Sequence, residues 1–92
     1  DNVMFSGNNL TLGGLDGDGH SVTFDFVDTE IDAVAQSFVN IVDLTVTGTS
    51  TLNGTIQTIG DQLFQGKAEL DGNTTLLSGD GSINLAGGVG GG

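Results

Sequence analysis

The stretch LTVTGTSTLNGTIQT, residues 44–58, decides how this chain folds. Its even positions carry Leu44, Val46, Gly48, Ser50, Leu52, Gly54 and Ile56, and its odd positions carry Thr45, Thr47, Thr49, Thr51, Asn53, Thr55 and Gln57. One set is apolar or small; the other is polar and mostly threonine. Strict alternation is the period of a pleated strand, whereas a helix of 3.6 residues per turn would mix the two sets. β-branched threonine suits a pleated, half-exposed surface. The stretch is strand, with one dry face and one wet.

The same period recurs on either side. In LFQGKAELDG (63–72), Phe64, Gly66, Ala68 and Leu70 share one face, with Gln65, Lys67, Glu69 and Asp71 on the other. SVTFDF (21–26) turns Val22, Phe24 and Phe26 inward, and SINLAGGV (82–89) does so with Ile83, Leu85 and Val89. GG, DGDG, DGN and SGDG lie between these runs, and all are turn chemistry. The chain is also self-similar: VMFSGNNLTLGGLDGDGHSVTFDF (3–26) aligns with QLFQGKAELDGNTTLLSGDGSINLAG (62–87). Both run Phe-x-Gly, then a leucine, then Gly-Asp-Gly, then an alternating strand. A shorter echo sets TLNGTI (51–56) against LFQGKA (63–68), matching Gly54 with Gly66. One segment dissents. Residues 28–42, DTEIDAVAQSFVNIV, read as strand or irregular chain with a bend near Gln36, or as a helix opened by a Thr29–Asp32 capping box.

At 92 residues this is one module, too small for a lone compact core to be more than marginal. There is no cysteine and one histidine, which excludes disulfides and a structural zinc cluster. Twelve acidic residues oppose the single Lys67, for a formal charge of −11. Such a surface repels phosphate backbones and anionic lipid, excluding nucleic acid as a partner. No apolar run reaches the ~20 residues that a spanning helix needs. No signal-peptide pattern opens the chain, as expected of a processed exported protein or a segment of a longer one.

Short strands with one apolar face each can be buried in two ways. A β-sandwich, completed by strand exchange between subunits, would use larger core residues and more aromatics than are present here. A β-solenoid of about four to five coils tolerates glycine, alanine and valine in a narrow interior, and keeps its repeat as spacing rather than identity. The all-β solenoid is therefore the expected architecture. Stacked strands rise about 4.8 Å per coil, giving a stub roughly 20 Å tall with unpaired edges at both ends. The tail GGVGGG suggests a junction at one of them.

Residues 45–89, TVTGTSTLNGTIQTIGDQLFQGKAELDGNTTLLSGDGSINLAGGV, resemble the repeats of filamentous-haemagglutinin-like exoproteins and related large bacterial surface adhesins. The elements that match are GDQLFQGKAEL and NTTLLSGDGSINLAG, with the first copy matching less well. The resemblance implies a right-handed parallel β-helix in an exported protein, with adhesive or scaffold duty.

Candidate chemistry is sparse. Asp16, Asp18 and Asp80 sit in Gly-Asp-Gly contexts related to calcium-binding β-roll and EF-hand loops. GGLDGDGHS has Asp16 where the β-roll repeat needs its third glycine, and no glutamate stands where an EF-hand loop closes. These residues therefore read first as turns, with calcium as the alternative. His20 reads as an exposed turn residue. No triad, paired-carboxylate cleft or cofactor motif is present, so the chain is expected not to be an enzyme and to carry no cofactor. The expected function is a structural or adhesive module of an exported bacterial surface protein or extracellular fibre. Its expected partners are itself or neighbouring repeats through end-to-end strand stacking, and a host or cell-surface glycan or receptor. A self-assembling pilin-like filament subunit and a calcium-stabilised β-roll are the alternatives.

Overall fold

In a computed structural model, which describes residues 2–91, the chain is an all-β parallel solenoid of about four turns. The strands are β1 (Asn2–Leu12), β2 (Leu15–Val46), β3 (Thr49–Thr58), β4 (Gln62–Phe64), β5 (Ala68–Ser78), β6 (Ile83–Leu85) and β7 (Val89–Gly91). They form one seven-stranded sheet in the order β6-β4-β2-β3-β5-β7, with β1 on β2. Every pairing is parallel. A sandwich would need two facing sheets, so that alternative is overturned: the apolar faces meet inside one wound ribbon.

Each coil has three sides, which residues 44–46, 49–53 and 55–58 represent in the third coil. The inward residues stack in columns. Phe5 pairs with Phe24, the Thr47 amide bonds Phe24 O to set Val46 above it, and Val46, Phe64 and Leu85 follow. On the second side Leu10, Thr29, Ser50, Ala68 and Val89 form one column, and Leu12, Ile31, Leu52, Leu70 and Gly91 another. On the third side Phe38, Ile56 and Leu76 align. The alternation read from residues 44–58 holds: Leu44, Val46, Ser50, Leu52 and Ile56 are all buried.

The dissenting segment is strand, and the helical reading of residues 28–42 is overturned. Residues 28–33 keep the inside-outside alternation against β3, and the register then slips between Ala33 and Phe38 and again before Ile41. Asn40 takes a positive φ at the second slip. The bend expected near Gln36 falls within the first. The second coil is consequently long, with 22 residues from Phe24 to Val46 against 18 from Val46 to Phe64. Its wider interior is filled by aromatics: Phe24 meets Phe38 edge-on across the coil at 6.2 Å and Phe5 below it at 5.7 Å.

The corner between the first and second sides holds Gly7, Phe26, Gly48, Gly66 and Gly87 in turn, a column of glycines that Phe26 interrupts in the second coil. A Cβ on Gly48 would lie 2.0 Å from Phe26 O, one on Gly66 would lie 2.4 Å from Gly48 O, and one on Gly87 would lie 2.2 Å from Gly66 C. Only glycine lets backbone pass backbone at that distance. This explains the long repeat: Phe5 and Phe64 share a column three coils apart. The short echo of Gly54 with Gly66 is not structural, because Gly54 lies at the next corner, over Ala33, with φ +92°. The tail does not end the ladder, for Val89–Gly91 pairs with 68–70. Gly92 lies outside the described residues.

Candidate functional site

The aspartates singled out in the sequence share one corner of the solenoid but not one site. Asp16 Oδ1 accepts the Asp18 amide at 3.0 Å, which closes an Asx turn and leads into the positive φ of Asp18 and Gly19. The same oxygen accepts Asn40 Nδ2 from the next coil at 3.1 Å. The Asp18 amide, and then Asn40, hold the Asp16 carboxyl below the ordinary aspartate value of 3.8. Asp80 belongs to the same corner higher up: its amide bonds Ile59 O, the Ile59 amide bonds Ile41 O, and Gly17 lies against Ile41. Three coil spacings, about 14 Å, separate it from the Asp16–Asp18 turn, too far for a shared ion. Among the described residues no group of three or more histidine, aspartate or glutamate side chains is placed to hold a metal ion. His20 is half-buried rather than exposed, on the strand that leaves the turn.

Other carboxylates have a use that the sequence reading missed. Thr47 Oγ1 donates to Asp25 Oδ1 at 2.9 Å, and Thr49 Oγ1 donates to Asp28. The Asp61 amide donates to Asp43 Oδ1 at 2.7 Å, and the Ser82 amide to Asp61 Oδ1 at 2.8 Å. With Asn40 on Asp16, these bonds share one direction: the carboxylate stands on one coil and the donor on the next. The acidic exterior therefore stitches coil to coil as well as hydrating the surface. The 18-residue interval from Asp43 to Asp61, one coil long, is the signal that could have revealed it.

Two buried polar features break the apolar interior. Gln62 is fully buried, and its Nε2 donates to Leu77 O at 2.9 Å and to Thr58 Oγ1 and Ile56 O at 3.3 Å. It ties the first side to the third where a leucine stands one coil below. Thr29 and Ser50, stacked on each other, bury hydroxyls that find no hydrogen-bond partner among the described residues.

The outer surface of the second side is a groove of about 410 Å³. Two polar ladders rim it: Asn9, Asp28, Thr49 and Lys67 along one, and Thr11, Glu30, Thr51 and Glu69 along the other. Its lining offers carboxylates, hydroxyls and one ammonium to a polar ligand. No histidine, cysteine or aromatic residue is among them.

The ends are the most distinctive surfaces. Among the described residues β1 pairs only with β2, β6 only with β4 and β7 only with β5, so each has one unpaired edge. Inward residues that are covered in the middle coils are uncovered here: Val3 and Phe5 at one end, Ile83 and Val89 at the other. The fold defines the chain as a parallel β-solenoid. No protein-family model, curated protein or solved structure matches it.

Proposed function

We propose that this chain is a non-enzymatic structural module, a segment of a stalk or fibre on the outside of a bacterial cell, whose mechanical continuity comes from coils added at its ends. The observation that carries this reading is continuity: the parallel hydrogen-bonded ladder and the apolar columns pass from each coil to the next through the described residues. The exported setting rests on the resemblance to exoprotein repeats, on the absence of cysteine and on the acidic, lysine-poor surface. Adhesive duty, where the module has it, falls to the groove on the second side, whose hydroxyls and carboxylates suit the hydroxyl groups of a glycan.

Single-molecule pulling between handle domains at the two termini tests the mechanical role. Because each coil contacts its neighbours, extension should proceed in steps of about one coil, some 20 residues or roughly 70 Å. Native protein should also resist trypsin at Lys67, the only lysine or arginine in the sequence. A single low-force step, together with rapid cleavage at Lys67, refutes the module as a mechanical element.

A further inference from the structure

Asn53 is followed by Gly54, and no other asparagine in the sequence precedes a glycine. The pair sits at the corner between the second and third sides, where the ladder is broken on both flanks. Below, the register of β2 against β3 holds as far as Ala33 with Gly54 and then slips before Phe38 with Ile56. Above, it slips between Leu52 with Leu70 and Gly54 with Thr74, so residues 71–73 bulge opposite Asn53 alone. Thr74 Oγ1 donates to Leu52 O across that bulge at 3.0 Å. The Asn53 side chain is half-buried, lies against Gly72 and makes no hydrogen bond among the described residues. Asn40, by contrast, donates its side-chain amide to Asp16 at 3.1 Å. Gly54 cannot be exchanged, since its φ is +92° and a Cβ there would lie 2.2 Å from Ala33 C and O. The fold therefore keeps an untethered asparagine amide beside the residue type least able to shield its backbone nitrogen.

From this we infer that Asn53–Gly54 is a site of spontaneous deamidation, a covalent change built into the coil corner. The Gly54 amide nitrogen attacks Asn53 Cγ and a C–N bond forms. Nδ2 leaves as ammonia, carrying off the proton that the Gly54 nitrogen gives up. The resulting five-membered imide takes up water at one of its two carbonyl carbons, which opens it to aspartate or to isoaspartate. Both products act against the winding. Aspartate sets a carboxylate between Asp32, which pairs with residue 53 from the coil below, and Asp71, which follows Leu70 on the coil above. Like charges in cross-strand positions destabilise a sheet. Isoaspartate routes the main chain through the side chain and lengthens it by one carbon just before Gly54 passes Ala33. Ile56, stacked between Phe38 and Leu76, is then carried out of its column. The module thus ages at one corner, and its coils loosen from there.

Ageing the full chain at mildly alkaline pH tests the site. Peptide mapping by mass spectrometry should show the amide-to-acid mass change at Asn53 first, split into aspartate and isoaspartate forms, while the other six asparagines stay intact. The rate in the folded chain should lie within about tenfold of that in urea, since the corner needs little opening to react. Aged wild type should melt below fresh protein, and the loss should grow with the converted fraction. Asn53→Gln, aged alongside, should keep its melting temperature, because glutamine closes the corresponding six-membered imide far more slowly. A folded chain whose Asn53 outlasts the denatured one beyond that range overturns the inference, as does conversion of the other asparagines at the same rate. Converted protein that melts with the fresh chain overturns the loosening of the coils.

Discussion

Replacing Gly66 with alanine tests the coil corner on which the winding depends. The new Cβ would lie 2.4 Å from Gly48 O and 2.5 Å from Gly48 C, against an ordinary contact of about 3.4 Å or more. Both atoms are backbone, so no rotamer change relieves the overlap, and the strands must part by about 1 Å. The bonds closest to the corner are Gln65 N to Val46 O at 2.8 Å and Ser50 N to Lys67 O at 2.9 Å. Weakening two such bonds costs about 2 kcal/mol, and lost packing adds about 1. Alanine restricts the unfolded chain, which returns about 0.4–1 kcal/mol. The net loss is about 2–3 kcal/mol, or a fall in Tm of roughly 10–15 °C for a domain of this size. Gly13→Ala is the control, since its Cβ would meet nothing closer than Asp32 O at 3.9 Å and its φ lies outside the left-handed region. It should leave Tm unchanged or raise it slightly. Thermal unfolding followed by circular dichroism measures both. A Gly66→Ala protein that melts with the wild type would refute the close backbone passage and the shared corner with it.

Thr29→Val removes a buried hydroxyl without a partner and keeps the branched shape, so it should stabilise the fold by about 1 kcal/mol, near 5 °C in Tm; a loss of stability would mean that the hydroxyl is satisfied in solution. The Asp16 carboxyl is held below its ordinary value by the Asp18 amide and Asn40, so its contribution is present above the unfolded aspartate value and is lost as pH falls through the lowered folded value. Wild type should therefore melt above Asp16→Ala at pH 6, with the gap closing below about pH 4; a gap independent of pH contradicts the ionised turn.

The strand character of residues 44–58 and the solenoid itself were legible because inward and outward positions alternate through 44–58 and again in 21–26 and 63–72, with glycine punctuation between the runs. What the sequence concealed follows from the geometry of winding. Coil lengths vary as bulges absorb residues, so Gly54 and Gly66 look equivalent on paper while they occupy different corners. Residues 28–42 carry helix-like spacing because a register slip between Ala33 and Phe38 moves the apolar positions out of step. The aspartate stitches were hidden for a related reason. Asp25 and Thr47, 22 positions apart, become neighbours only once the long second coil is wound. A turn-forming aspartate such as Asp16 is visible locally; an aspartate that accepts from the next coil is not.

The direction of the stitches bears on how a chain of formal charge −11 is held together as a solenoid. A carboxylate that accepts from the coil after it is best placed where such a coil exists. After Asp80 no acidic residue occurs in the sequence, and β6 and β7 add Ile83, Leu85 and Val89 to the apolar columns. The first edge is likewise neutral from Asn2 through Leu15, with Asn2, Ser6 and Asn9 on its outer positions. The middle coils thus hold the charge and use part of it to accept hydrogen bonds from one another. Register within the ladder is held by the apolar columns, since a slip of one residue between β1 and β2 would turn Val3 and Phe5 to the outer face.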